Sequence, residues 1–465
     1  MLRNFLLFSL AVSGVIAWVP KVAAVPALPN INTNNIVNIT NFGAISSTTL
    51  TNTAAIQAAI DSAATTNGGC TVEIPEGTYL SGPLTLRSRV NLMVDTNAIL
   101  KMLPMSAWPN ASTPFLYGSS ISDVEICGSG TIDGNSGFGA SDWWGPVNGS
   151  PAGTRPNFIQ FSSSSRILIQ GVTLQNPPTF HIMIKNSNAN ITVQGITINT
   201  PGNSPNTDGF DIGSTNVLIQ NSTINTGDDN VEIGGSSGTA SYIVVTNCQF
   251  GTGHGVSIGG YCQAGISNVT VIDCGFTGTD NGIRMKSDFD RGGLVQNLAY
   301  YNIGITNVRF PIIIYSYYTW KGTPDTVTPQ VAASTNAATI TTTPPIWRNI
   351  TISNLTVISG TNCIIWARTE LPATNIVFKQ AHIFTPKSFE VYNARGIQFV
   401  DSMISNTVAG VSTFALYNAQ LVVTNSAFSN NLVTLDGLTT NGYGNSLAFY
   451  NARASLKNTN AFDDG

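Results

Sequence analysis

A short segment recurs along this chain and constrains its fold more than any other feature. The stretches "ILIQGVTLQN", "ITVQGITINT", "VLIQNSTINT", "IVVTNCQFGT" and "VTVIDCGFTG" follow one another. Gly171, Gly195, Asn221, Asn247 and Asp273 occupy equivalent places in them, at spacings of 24, 26, 26 and 26 residues. A period in this range indicates stacked supersecondary units.

Each unit has room for two or three short strands and their turns, but not for the long helix of a repeated βαβ crossover. The composition agrees, because 44 glycines and 42% hydrophobic residues suit many strands joined by tight turns. The sequence therefore predicts an all-β chain folded as a right-handed parallel β-helix. In that fold each repeat is one coil, and neighbouring coils lie ~4.8 Å apart.

One segment before the repeats has helical periodicity. Its apolar stripe consists of Ala55, Ile56, Ala59, Ile60 and Ala63. We expect this helix to end at Gly68 and Gly69 and to cap the open end of the β-helix core, as terminal units of solenoids must.

The N-terminus predicts a signal peptide over residues 1–24. Arg3 supplies a positive start, residues 5–19 are largely apolar, and small residues at 22–24 offer a cleavage site. An uncleaved anchor is the alternative. We further expect an N-terminal extension with the capping helix at 25–70, the β-helix at 71–455, a tail at 456–465 and a surface loop at 319–345. The mature chain is expected to be a secreted, extracellular monomer without a membrane contact.

Charge and cysteine content exclude several partners. The net charge is −4 and no basic run occurs, so a nucleic-acid partner is not expected. Six cysteines without a Cys-x-x-Cys pair, and only three histidines, do not indicate a zinc site, and no metal or cofactor is expected. Cys248 and Cys274 share a register one coil apart; a disulfide and a stack of buried free thiols both remain open.

Four strands align without gaps: "DGFDIG", "DNVEIG", "HGVSIG" and "NGIRMK". Their apolar alternates, expected to face the core, are Phe210, Ile212, Val231, Ile233, Val256, Ile258, Ile283 and Met285. The residues expected to point outward are Asp211, Glu232, Ser257 and Arg284, with Lys286 two positions further on.

The start of these strands carries a column of ionisable residues. Asp208, Asp229 and His254 stack on three successive coils, and Asp228 immediately precedes Asp229. A solvated turn or a polar ladder explains one acidic pair, but not carboxylates, an imidazole and two cations on one face. Charged stacks repel unless they are paired or functional, so the column predicts a catalytic site.

The residue types indicate the chemistry. Paired carboxylates without a metal suit glycoside hydrolysis, in which one acid protonates the leaving oxygen and another activates water. Crowding raises the pKa of one member so that it keeps its proton. Arg284 and Lys286, alternate residues on one face, are suited to bind a substrate carboxylate.

Four motifs in this order resemble a known family. "NTD" at 206–208, "GDD" at 227–229, "GHG" at 253–255 and "RMK" at 284–286 resemble the polygalacturonases of glycoside hydrolase family 28. The family usually has Arg-Ile-Lys at the last motif, so Met285 is a conservative departure. The resemblance implies a pectin-lyase-like β-helix that hydrolyses α-1,4-galacturonosyl linkages with inversion and without a cofactor.

The resemblance also implies residue roles. Asp228 corresponds to the general acid, Asp208 and Asp229 to the pair that activates water, and His254 to the residue that tunes protonation of the acid.

For the substrate, the resemblance assigns Arg284 and Lys286 to the galacturonate carboxylate. Tyr318 corresponds to a substrate-contacting tyrosine, and Asn206 to a residue that shapes the site.

Carboxylates on adjacent coils would lie ~5 Å apart, which the general separation rule reads as retention. The resemblance implies inversion, and we expect inversion because three acids share the site and their side chains can splay. Endo-acting cleavage of polygalacturonate is expected, but exo-polygalacturonase, rhamnogalacturonan hydrolase and xylogalacturonan hydrolase activities are alternatives on the same scaffold. A pectate lyase, which needs carboxylates around calcium, and a non-catalytic carbohydrate-binding β-helix are less favoured.

Overall fold

The computed structural model describes residues 24–145, 154–236, 238–318, 340, 344–428, 432–436, 445–452 and 455–460. Nearly all of the predicted signal peptide and most of the predicted loop at 319–345 lie outside the described residues, so both stay predictions. No helix in the described ranges is long and apolar enough to cross a membrane.

Short strands dominate the described chain, and they pair in parallel to form three faces. The first face begins with Ile36–Asn38, Cys70–Ile74, Val90–Val94, Ser122–Gly128, Ser165–Gln170, Ala189–Gln194, Thr215–Gln220 and Ala240–Thr246. The second face comprises Ser47–Thr51, Gly77–Ser81, Ala98–Met102, Thr131–Asp133, Thr173–Gln175, Thr197–Asn199, Thr223–Asn225, Gln249–Phe250, Met403–Asn406 and Ala427–Phe428.

The third face comprises Leu84–Thr85, Leu116–Ser119, Ile159–Ser162, Ile182–Lys185, Phe210–Ile212, Val231–Ile233, Val256–Gly260, Asn281–Ser287, Phe310–Tyr315, Cys363–Trp366, Leu432–Asp436 and Ser455–Asn460. Longer strands bend across two faces: Ile266–Thr277, Leu294–Thr306, Ile346–Ile358, Ala373–Thr385, Phe389–Val400 and Phe414–Thr424; Ser446–Tyr450 completes the first face. This stack of parallel coils confirms the predicted β-helix.

The repeated Gly, Asn or Asp marks a turn with left-handed backbone. Gly171, Gly195, Asn221, Asn247 and Asp273 have φ values of 76°, 62°, 54°, 49° and 55°. Glycine enters this region freely, and Asn and Asp enter it more readily than other residues. The asparagines also bond between coils, since Asn247 Nδ2 donates to Asn221 Oδ1 at 2.7 Å. The sequence period is therefore the period of one bend in the coil.

The interior is apolar, as the alternating pattern predicted. The eight residues assigned to the core are fully buried: Phe210, Ile212, Val231, Ile233, Val256, Ile258, Ile283 and Met285. Their alternation with polar residues follows from the two-residue period of a strand, which sends successive side chains to opposite faces.

The capping helix, α1, spans Thr53–Ala64. Ile56, Ala59, Ile60 and Ala63 are buried in the core cluster, and Ala55 packs against it. The predicted end at Gly68 and Gly69 was wrong: the helix stops at Ala64, and a turn bonded from Gly69 N to Thr66 O follows.

The domain boundaries remain predictions, but strands cross two of them. Ile36–Asn38 pairs in parallel with Cys70–Ile74 before the predicted β-helix start, and Ser455–Asn460 enters the predicted tail. All six cysteines lie in the described residues and are free thiols. Cys248 Sγ donates to Thr246 O at 3.3 Å and Cys274 Sγ to Ile272 O at 3.2 Å, which is the buried-thiol alternative.

Candidate active site

The predicted site residues gather on the third face, at and just before the starts of its central strands. Asp208 precedes Phe210–Ile212, Asp228 and Asp229 precede Val231–Ile233, and His254 precedes Val256–Gly260, while Arg284 and Lys286 lie within Asn281–Ser287. Register pairs Glu232 with Ser257, Ser257 with Arg284, and Gly259 with Lys286. The coils therefore place the column on one surface, as their sequence alignment predicted.

Asn230 holds the two turns that carry the acids and the histidine. Its Nδ2 donates to Thr252 O at 2.8 Å, and its Oδ1 accepts from Gly255 N at 2.7 Å. Gly253 has a φ of 124°, and a Cβ there would lie 2.7 Å from the Asn230 amide. The glycines flanking His254 are thus required by backbone geometry and by this close approach.

Asp229 is the most tightly held carboxylate. Its Oδ2 accepts from Lys286 Nζ at 2.6 Å, and its Oδ1 accepts from Arg284 Nη1 at 2.8 Å and from Ser257 Oγ at 2.7 Å. Burial alone would raise the pKa of Asp229, but the charges of Lys286 and Arg284 outweigh it and hold the pKa well below the usual range. Asp229 is consequently ionised at any ordinary pH.

Arg284 and Lys286 point away from the core, yet their side chains are only 8% and 7% exposed. They are covered because they pair with Asp229 instead of extending into solvent. Any substrate carboxylate that they bind must share them with this residue.

Asp228 is the accessible member of the acidic trio, with 24% of its side chain exposed. Its Oδ1 accepts from Asp229 N at 2.9 Å and lies 3.0 Å from His254 Nδ1. Its Oδ2 accepts from Asn206 Nδ2 at 3.4 Å. This carboxyl is therefore accessible to a ligand, while its neighbours fix its orientation.

Asp208 lies in the opposite electrostatic situation from Asp229. It is buried, and its Oδ1 has no hydrogen-bond partner among the described residues. Burial raises the pKa of Asp208 well above the usual range, and the charges of Asp228 and Asp229 raise it further. A buried oxygen of this kind is costly unless a water or ligand atom meets it.

His254 is positioned to respond to the acids. Burial disfavours its charged form, but the hydrogen bond to Asp228 and the charges of Asp228 and Asp229 outweigh burial and raise the pKa of His254. The imidazole therefore holds its proton to a higher pH than a free histidine does.

Arg155 belongs to the site although sequence reasoning missed it. Its Nη2 donates to Asn206 Oδ1 at 2.7 Å, and its Nη1 donates to Pro178 O at 2.8 Å and Pro205 O at 2.7 Å. Burial lowers the pKa of Arg155, and the charges of Asp208 and Asp228 oppose that shift. Arg155 precedes the aligned repeats, so no periodic signal in the sequence pointed to it.

Tyr318 and the adjoining groove complete the geometry. Lys286 Nζ lies 4.9 Å from the centre of the Tyr318 ring, and Tyr318 N donates to Ser287 O at 3.0 Å. His254 lines a groove of about 450 Å³ together with Thr279, Asp280 and Arg309. Hydrogen bonds, ring contacts and charge interactions thus connect all eight sequence-predicted residues in one cluster, and His254 is the member of the eight that lines this groove.

Asp228, Asp229 and His254 bring their ligand atoms within 4.8 Å of one another, a spacing that would suit a metal ion. Arg284 and Lys286 already neutralise Asp229, so a divalent ion there would meet two fixed positive charges. The donor set fits a metal poorly, and the absence of a metal requirement stays a prediction.

Residues 65–383 match the family described as glycosyl hydrolases family 28, over more than half of the chain and across all eight site residues. The chain belongs to glycosyl hydrolase family 28. The description of the family agrees with the predicted enzyme class. The resemblance read from the four motifs is therefore confirmed.

Curated relatives of this family 28 hydrolase include an endo-polygalacturonase from Pectobacterium carotovorum subsp. carotovorum, 34% identical over 268 residues that cover 52% of this chain and 66% of the relative. A probable polygalacturonase from Arabidopsis thaliana is 32% identical over 293 residues, covering 61% of this chain and 62% of the relative. The match thus spans slightly less than two thirds of these relatives.

Solved structures support the fold of this family 28 member. A polygalacturonase from Erwinia carotovora ssp. carotovora matches with a TM-score of 0.59 and 24% identity, over 94% of this chain and 99% of that chain. A hyperthermoactive exopolygalacturonase from Thermotoga maritima matches with a TM-score of 0.63 and 19% identity, over 87% and 93%. At these identities the likeness establishes the β-helix fold alone.

Proposed function

We propose that this glycoside hydrolase cleaves the α-1,4-galacturonosyl linkages of polygalacturonate, the unesterified backbone of pectin. The observation that carries the proposal is the acidic trio, in which Asp229 is held ionised by two cations while the pKa of Asp208 is raised. Hydrolysis of a glycosidic bond needs one proton donor and one base, and a trio that keeps one carboxyl ionised while it retains a proton can supply both.

In the proposed mechanism Asp228 protonates the leaving oxygen, and Asp208 and Asp229 hold the attacking water. Asp228 is the most exposed of the three carboxyls, and the buried Oδ1 of Asp208 has no hydrogen-bond partner among the described residues, so a bound water would satisfy it. The acids interact strongly, so a proton bound in the free site belongs to the trio as a whole. Water bonded to Asp208 and Asp229 favours that proton on Asp228, where the reaction needs it.

The substrate class follows from the two cations. The net charge of the chain is −4, so attraction of a polyanion has to be local. Arg284 and Lys286 lie beside the carboxyls that would act on the linkage, with the Tyr318 ring 4.9 Å from Lys286 Nζ. A galacturonate unit presents a carboxylate to the cations and a sugar face to the ring, and methyl esterification removes that charge.

Two experiments test the activity. Hydrolysis should be much faster on de-esterified polygalacturonate than on highly methylated pectin, and the difference should shrink as salt rises. Proton NMR of the first product should show the β-anomer, because the family resemblance implies inversion at the α-linkage. Equal rates on both substrates would contradict the carboxylate clamp, and an initial α-anomer would contradict inversion.

We also propose endo action and secretion. An endo-acting enzyme releases a ladder of oligomers at early times, whereas an exo-acting enzyme releases only monomer or dimer. The curated relative from Pectobacterium is an endo-polygalacturonase, which favours the first pattern. Chromatography of products against time, with the inactive Asp228→Asn variant as blank, separates the two.

A further inference from the structure

A second charged cluster lies on the third face beside the acidic trio. It consists of Lys185 at the end of Ile182–Lys185, Asp211 in Phe210–Ile212 and Glu232 in Val231–Ile233. Asp211 pairs in register with Glu232, and Met183 pairs with Asp211. The three residues therefore occupy three successive coils. Asp211 lies three residues after Asp208 in the sequence.

The cluster is buried and closely bonded. Asp211 is 4% exposed and Glu232 9%. Lys185 Nζ lies 2.5 Å from Asp211 Oδ1 and 3.7 Å from Glu232 Oε2. Lys185 thus lies near two buried carboxyls, which is more than the neutralisation of a single surface acid requires.

Two glycines leave the space that the side chains of Glu232 and Lys185 occupy. A Cβ on Gly234 would lie 2.4 Å from Glu232 Oε1, and a Cβ on Gly213 would lie 3.2 Å from Lys185 Cγ. Neither glycine needs a left-handed backbone, because neither has a positive φ in the restricted range. The space that they leave lets Glu232 and Lys185 lie across the sheet toward Asp211.

Glu232 is in the environment of a neutral acid. Its Oε2 is buried without a hydrogen-bond partner in the described chain. Burial raises the pKa of Glu232 well above its usual range, and the charge of Asp211 raises it further, while Lys185 opposes the shift. Burial disfavours the charged form of Lys185, but the charges of Glu232 and Asp211 outweigh it and raise the pKa of Lys185.

This cluster is coupled to Asp208. The charge of Asp211 helps to raise the pKa of Asp208, after burial and the charges of Asp228 and Asp229. The charge of Asp208 in turn helps to raise the pKa of Lys185, and that attraction is mutual. The other charged groups acting near Asp208 are Lys286, which lowers its pKa, and Arg155.

We propose that Lys185, Asp211 and Glu232 form a positioning cluster that fixes the charge state of Asp208, in which a neutral Glu232 lies beside the ion pair of Lys185 and Asp211. The cluster is then neutral as a whole: Lys185 cancels the single charge of the acid pair. Without Lys185 an additional negative charge would act on Asp208 and keep it from ionising. The inference rests on the proposed function, in which Asp208 holds the attacking water as a carboxylate.

The first test is the acid limb of the kcat/KM profile on polygalacturonate. Lys185→Met should move this limb to higher pH by about half a unit or more, because loss of a nearby cation favours the protonated form of Asp208. Lys185→Arg keeps the charge and should restore the limb. Glu232→Gln should leave the limb in place, since a neutral amide replaces a neutral acid.

An unshifted limb in Lys185→Met, or a shifted limb in Glu232→Gln, would overturn the proposal. Lys185→Gln, which retains a hydrogen bond to Asp211, serves if Lys185→Met does not fold. Asp273→Asn is the matched control, because asparagine occupies the equivalent turn position at Asn221 and Asn247.

The second test needs no substrate. Infrared difference spectra at neutral pH should show a protonated-carboxyl band in the wild type that loses intensity in Glu232→Gln and not in Asp273→Asn. An undiminished band in Glu232→Gln would refute the neutral Glu232. Failure to hydrolyse polygalacturonate would count against the proposed function. The infrared result would still test the proton on Glu232, because it does not depend on activity.

Discussion

The third face continues past the active site in unbroken register, but its chemistry changes. Lys286 pairs with Tyr315, Tyr315 with Trp366, Trp366 with Tyr392, and Tyr392 with Tyr417. We call these four aromatic positions the aromatic row. Its members pack against each other, with Tyr392 and Tyr417 stacked at 4.3 Å and Trp366 edge-on to Tyr392 at 5.5 Å.

The two regions share the β-helix backbone but differ in the free energy of burying their side chains. Buried carboxyls and cations near Asp208 and Asp229 lose hydration, and the site retains an unpartnered oxygen. In the described residues the aromatic row also has unpartnered polar atoms, Tyr315 Oη and Trp366 Nε1, but it buries apolar area and gains ring contacts, which stabilise a fold. The comparison teaches that one β-helix backbone carries the proposed catalytic residues in one set of coils and mainly aromatic packing in the next.

The largest effect should come from removing the proton donor. Asp228→Asn should lower kcat by about a thousandfold or more while leaving the melting temperature near that of wild type, because the amide oxygen can still accept from Asp229 N but the amide cannot protonate the leaving group. The measurement is reducing-sugar release with a thermal scan of the same sample. Asp273→Asn controls for the chemical change at a turn position. Near-normal turnover in Asp228→Asn would remove this residue from the acid role.

Asp208 and Asp229 should separate activity from stability. Both asparagine variants should lose most activity, but their stabilities should move in opposite directions. The depressed pKa of Asp229 contributes stability above the unfolded pKa, and that stability is lost as pH falls through the folded value. Asp229→Asn also leaves Arg284 and Lys286 buried without their partner, a cost of about 3 to 5 kcal/mol.

Asp208 has the opposite linkage. Its raised pKa costs stability once pH exceeds the unfolded value, so Asp208→Asn should be more stable than wild type at neutral pH and equal to it in strong acid. Urea unfolding at both pH values measures the two variants side by side. Equal destabilisation of both variants would show that the two acids do not differ in environment.

A smaller effect is expected at His254. Its pKa is raised by Asp228 and Asp229, so the basic limb of the rate profile should lie above the usual imidazole range. His254→Ala should reduce kcat by about tenfold to a hundredfold and shift that limb. If His254→Ala kept the wild-type kcat and an unchanged basic limb, His254 would have only a packing role between coils, as the aromatic row does.

Much of this site was predictable because the regular spacing of the repeat allowed the strands of successive coils to be aligned. Aligning four strands placed Asp208, Asp229, His254 and Arg284 on one face without any structural knowledge, since register in a β-helix follows from equal coil length. The family motifs then gave roles that alignment alone could not assign.

The remaining features depended on packing that no period encodes. Arg155 reaches Asn206 from outside the aligned repeats, and Lys286 pairs with Asp229 although the sequence reads it as outward. The helix end at Ala64 was missed because the two glycines after it belong to the following turn. The alternation of residues along a strand predicts whether a side chain points toward or away from the core. It does not predict which neighbouring side chain an outward residue will contact.

The smallest predicted effect tests the stabilising half of the comparison. Tyr417→Leu should lower stability by about 1 kcal/mol, the size of a stacked aromatic pair beyond its area, and leave kcat on polygalacturonate unchanged. The reason is distance along the stack: Tyr417 pairs with Tyr392, which is separated from Lys286 by the coils of Tyr315 and Trp366. Tyr450→Leu is the matched control, because Tyr450 is 60% exposed and its loss should cost little. A drop in kcat for Tyr417→Leu without a change in unfolding free energy would show that the aromatic row contributes to substrate turnover, and the division between the two regions would fail.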